Sequence, residues 1–135
     1  MNLPASVQSC LSKYASFGGR ASRSEFWWFV VFSGFGTVTM AALETRFLGF
    51  GSFTSGNGHW AWTSNGGPLS ALFILAMIVP MLAVAVRRLH DVDKSGWWIL
   101  IKLVPLIGAL YLLFLLTQPS QARVNRFGPL PPDMF

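Results

Sequence analysis

The residues best equipped for chemistry fall in one short stretch, RRLHDVDKSG, over residues 87–96. Arg87, Arg88, His90, Asp91, Asp93 and Lys94 bring guanidinium, imidazole, carboxylate and amine groups close together in the chain. His90 with Asp91 and Asp93 has the donor types of a divalent-cation site. The spacing opposes that use, because helix neighbours one or two apart do not face each other. No second group of ligands occurs elsewhere, so no metal site is expected. Nucleophile–base pairs, Gly-rich phosphate loops and paired carboxylates at apolar depth are also missing from the pattern. The expectation is a non-enzymatic protein without a cofactor.

A structural use of the same charges is expected instead. Glu25 can pair with Arg87 or Arg88, and Arg23 with Asp91. Such pairs fix how one helix docks on another, and the guanidiniums also suit lipid phosphates. Lys102 stands apart, about five residues into an apolar run. There it either snorkels to the membrane surface or lines a polar intramembrane path. Cys10 is the only cysteine, which excludes an intramolecular disulfide and a cysteine-based zinc site. His59 sits alone in a polar loop.

The elements that must position these groups are apolar. Hydrophobic residues make up 53% of the 135, and charged residues only 11%, where a soluble domain carries about 25%. A chain so poor in charge cannot cover a water-facing surface. The net charge of +5 comes from basic residues at the edges of apolar runs. That placement fits orientation in a membrane and contact with anionic headgroups rather than nucleic acid.

The predicted fold is all-α, with three transmembrane helices and an amphipathic N-terminal interfacial helix over about 4–17. In that helix Val7, Cys10, Leu11, Tyr14 and Phe17 recur at helical spacing. Ser22 and Glu25 fit a capping box at the start of the first span, about 24–43. Trp27 and Trp28 stand where an aromatic belt belongs. This run begins late for a signal peptide and is expected to remain as an anchor. An external loop, 44–67, follows. Its Ser55-Gly56-Asn57-Gly58 is a turn signal, and Ser52–Thr54 can pair with Trp60–Trp62 as a hairpin whose tryptophans reach the interface. The second span, about 68–87, contains Pro80, where a kink is expected. A cytoplasmic loop, 88–96, leads to the third span, about 97–116, and an extended tail, 117–135.

Three spans place six basic residues beside the N-terminus and the stretch 87–96, against three on the other side, which favours a cytoplasmic N-terminus. A second topology turns the chain back at Pro105–Gly108, making the third run a re-entrant hairpin. The tail then returns to the cytoplasm and the asymmetry becomes eight against one. Each arm of such a hairpin would reach only about half the bilayer.

Four motifs resemble, in order, those of domain-of-unknown-function family 805, small bacterial inner-membrane proteins. They are FGGRASRSEFWW (Phe17–Trp28), RRLHDVDKSGWW (Arg87–Trp98), PLIGALYLLFLL (Pro105–Leu116) and NRFGPLP (Asn125–Pro131). The resemblance implies an inner-membrane location with a cytoplasmic N-terminus, and implies no activity. The Gly-rich loop 51–67 and Lys102 lie outside the pattern. The expected function is that of a scaffold, accessory subunit or envelope component, as a homo-oligomer or with a larger membrane partner. The alternative is an oligomeric channel or transporter with Lys102 and the 87–96 loop along its path.

Overall fold

The computed structural model describes residues 2–131. Its elements are α1 (Leu3–Ser12), α2 (Arg23–Leu43), a π-helical turn (Glu44–Leu48), β1 (Gly51–Gly56), β2 (His59–Ser64), α3 (Pro68–Asp91), a 3₁₀ helix (Gly96–Leu103) and α4 (Ile107–Thr117). The architecture is mainly helical with one two-stranded sheet, which corrects the all-α expectation. Two helices are long and apolar enough to cross a membrane: α2 with its π-helical extension, and α3. Their side chains face outward to an extent that water would not tolerate; Phe35 is 74% exposed and Leu72 63%. Lipid covers such surface without cost, so their burial within the chain is not required. The chain divides into two compact units, residues 1–30 with 79–135 and residues 31–78, with α2 and α3 passing through both.

In the first unit, α1 starts at an Asn2 side chain that accepts from the Ala5 N–H, as an N-cap should. It is shorter than the expected 4–17, ending at Ser12. Ser22 caps α2, its Oγ accepting from the Glu25 N–H at 3.2 Å. α3 continues unbroken through Pro80 to Asp91, so the expected loop 88–96 shrinks to about 92–95 and Arg88, His90 and Asp91 are helical.

The expected third span, about 97–116, is not one helix. Its first half is 3₁₀ and its second half α, and the two pack against each other as a hairpin: Trp98 lies 5.9 Å from Tyr111. Pro105 offers no N–H to continue the first helix. Leu106, with φ 61° and ψ −66°, forms a γ-turn in which the Ile107 N–H donates to Pro105 O at 2.8 Å. Gly108 then permits the close approach, since a Cβ there would lie 1.8 Å from the Ile101 carbonyl oxygen. At about 2.0 Å per residue for the 3₁₀ arm and 1.5 Å for the α arm, each arm is roughly half a bilayer deep. The run is thus two short helices folded against each other rather than one continuous helix.

In the second unit, β1 and β2 pair antiparallel with Phe53 opposite Trp62 and Ser55 opposite Trp60. Asn57 and Gly58 both have positive φ, 49° and 76°, as a two-residue hairpin turn requires. On α2, Gly36 makes room for the Phe73 ring, which a Cβ would approach to 2.3 Å.

Candidate functional site

Within the first unit, the buried ionisable side chains Arg20, Glu25, Arg87, Arg88 and Asp91 gather at the end of α3. Glu25, in the first turn of α2, and Arg87, in the last turns of α3, are both buried and meet at 2.9 Å. The same Glu25 oxygen accepts from the Ser9 hydroxyl at 3.0 Å and the Cys10 thiol at 3.7 Å, so α1 is tied to the pair. Burial and the Glu25 charge push the Cys10 thiol from its ordinary 9.0 up to about 12. Beside it, Ala21 N–H donates to the Arg87 carbonyl at 3.0 Å.

Asp91 forms the second centre. One of its oxygens pairs with Arg20 at 2.8 Å and the other with Arg88. All three side chains are fully buried. The expected partner, Arg23, is displaced by Arg20 and lies exposed. Arg23 is the first residue of α2, whereas Arg20 sits in the extended lead after Gly19, whose φ of 82° turns the chain toward α3.

Both guanidiniums also hold the C-terminal tail. Arg20 donates to the carbonyls of Arg123 at 2.7 Å and Gln121 at 2.6 Å. Arg88 donates to the carbonyls of Leu116, at 3.1 Å, and Gln118, placing a cation at the C-terminus of α4 where the helix dipole favours one. The tail therefore comes back to the end of α3. Gln121 and Asn125 add backbone and side-chain bonds to Asp91 O and His90 O.

Three guanidiniums against two carboxylates leave this buried group with one net positive charge. The remaining sequence candidates lie at its edge. His90 donates from Nδ1 to Gly19 O at 3.1 Å and stacks on Phe127 with ring centroids 3.9 Å apart. Asp93 pairs with Arg126 at 3.2 Å in an exposed bridge, and Lys94 lies 5.5 Å over the Trp98 ring. No cluster of three metal-ligating side chains occurs among the described residues. Lys102 is separate from all of these, exposed on the 3₁₀ helix. An open apolar groove of about 500 Å³ runs past His90, walled by Phe17, Leu82, Val86, Trp97 and Leu100.

Two ionisable groups escaped the sequence reading: Arg20, where Arg23 was expected, and Glu44. Glu44, in the second unit, is fully buried. It accepts from the N–H groups of Leu69 and Ser70 and from the Ser70 hydroxyl, so it caps α3 from outside that helix. A lone Glu at the end of an apolar run, with Gly67-Pro68-Leu69-Ser70 some 25 residues later, carries no local signal for this pairing.

The chemistry of the charged group is cohesion: its carboxylates are engaged by guanidiniums, and Arg20 and Arg88 also by backbone carbonyls of α4 and the tail, while Arg87 Nε and one Nη have no hydrogen-bond partner among the described residues. Comparison with known proteins agrees with a membrane location and adds no activity. The chain is 35% identical to the inner membrane protein YhaH of Escherichia coli K12 over 121 residues, which is 90% of this chain and 91% of that protein. It is 36% identical to the inner membrane protein YhaI of the same organism over 123 residues, 91% and 92% of the two chains. No solved structure matches. The family model described as "Protein of unknown function (DUF805)" covers residues 14–129, and the chain belongs to that family.

Proposed function

We propose that the protein is a non-enzymatic scaffold or accessory subunit of the bacterial inner membrane, with two spans, a re-entrant hairpin and both termini in the cytoplasm. The observation that carries this reading is the buried Arg20–Asp91–Arg88 group. It draws the segment before α2, the end of α3 and the tail into one place, which supports a tail on the side from which the chain sets out. Two spans with that return put eight basic residues on one side and only Arg46 on the other, the asymmetry expected of a cytoplasmic face. The third run, broken into two short arms, fits a re-entrant hairpin better than a span. Its exposed side chains, with the adjacent groove, offer an apolar surface within one leaflet for a second copy or a larger membrane protein.

A fusion at the C-terminus tests the topology: a fluorescent protein should light up and alkaline phosphatase should remain inactive. The reverse pattern would restore the three-span arrangement. Crosslinking in native membranes followed by purification in mild detergent tests the scaffold role, which requires a discrete assembly; monomer alone would remove it. A channel or transporter remains the second reading, favoured by the exposed Lys102 on the hairpin. It requires that a reconstituted oligomer conduct and that Lys102→Leu abolish flux with assembly intact.

A further inference from the structure

The hairpin β1–β2 separates its side chains into two unlike faces. Alternation along each strand, with the observed register, places Phe53, Ser55, Trp60 and Trp62 on one face. Ser52, Thr54, His59, Ala61 and Thr63 occupy the other, where the Ser52 and Thr63 hydroxyls bond at 2.9 Å. The aromatic face is preorganised: Phe53 and Trp62 stack with centroids 6.0 Å apart. It is also bare, with Trp60 85% exposed and Phe53 56%.

Its attachment limits where that face can go. Gly49 and Phe50 alone separate the hairpin from the π-helical turn that ends the α2 span, and residues 65–67 separate it from α3. Trp62 Nε1 donates to Thr45 Oγ1 at 3.1 Å, and Thr45 belongs to that same turn. The hairpin is thus tied to the end of a membrane span along its aromatic face. Next to the tie, Phe47 is exposed and carries the Arg46 guanidinium 5.7 Å over its ring. Aromatic rings with a cation at the end of a span match the headgroup layer, which takes amphipathic rings and supplies phosphate for the guanidinium.

We propose that the aromatic face of β1–β2 is a docking surface for the bilayer itself. Phe53 and Trp60 enter the interface of the leaflet that α2 reaches at Leu48, the polar face looks to water, and Arg46 engages lipid phosphate. The inference rests on α2 and α3 crossing the membrane and not on the scaffold role.

Spin labels test it first with every aromatic ring in place. The full chain, with Cys10→Ser, carries Ser55→Cys on the aromatic face or Thr54→Cys on the polar face. Each is reconstituted into vesicles of phosphatidylethanolamine and phosphatidylglycerol. The label at 55 should relax with oxygen and be shielded from a water-soluble nickel chelate, and the label at 54 should do the opposite. Phe53→Ser with Trp60→Ser should abolish that difference while circular dichroism shows the helices intact. Equal chelate access at 54 and 55 would overturn the proposal, because the hairpin would then stand in water. A label at 55 shielded from both probes would overturn it in favour of a protein partner.

Discussion

The two ends of α2 handle a buried carboxylate in different ways. At its start, Glu25 answers a guanidinium, and nearby Asp91 answers two. After its end, Glu44 meets no cation among the described residues; backbone N–H groups and the Ser70 hydroxyl at the start of α3 hold it. Side-chain ion pairs join segments far apart in the chain, and each depends on the opposite charge being present. A carboxylate at a helix N-terminus depends instead on a fixed backbone dipole. The first arrangement is cooperative and fragile; the second is local and tolerant.

Neutralising Asp91 should therefore have the largest effect. Asp91→Asn leaves Arg20 and Arg88 buried without their shared counter-charge, at a cost of about 3–5 kcal/mol. Thermal unfolding in mild detergent should show it, and proteolysis should find the tail beyond Thr117 released. Glu44→Gln keeps a hydrogen-bond acceptor and should cost only about 1–2 kcal/mol by the same measurement. Equal costs at the two positions would break the contrast.

The γ-turn offers a smaller effect of opposite sign. Leu106→Gly removes a side chain from a backbone region that costs about 1–3 kcal/mol. It also adds freedom to the unfolded chain, so a net gain of about 1 kcal/mol in unfolding stability is expected. A loss would mean that the Leu106 side chain has a contact worth more than the strain.

Cys10 supplies the most delicate probe of the charged end. Its folded pKa, about 12, lies above the ordinary 9.0, so the folded state holds its proton more tightly. The resulting stability is present below about pH 9 and declines as pH rises toward 12. At pH 8 the thiol should resist maleimide in the folded protein and react when it unfolds. Glu25→Gln removes one cause of the raised value and should speed labelling, whereas Glu44→Gln should not.

The boundary between sequence and tertiary structure follows from the range of the forces. Membrane residence was legible in composition and in three apolar runs, because lipid demands apolar surface along a whole span. The Ser22 cap and the Asn57–Gly58 turn were legible because each is settled within a few residues. A contact of Glu25 with Arg87 or Arg88 followed from opposite charges at the ends of two spans, and the folded chain chose Arg87. Three features required the folded chain. Pro105 and Gly108 are compatible with a bent span or a hairpin, and only the contact of Gly108 with Ile101 decides for the hairpin. Asp91 was expected to take Arg23, and the turn at Gly19 brings it Arg20 instead. Glu44 finds its helix terminus through a separation of 25 residues. Periodicity and local chemistry placed the elements; the choice among equally suited partners was made by distance in three dimensions, which sequence spacing does not encode.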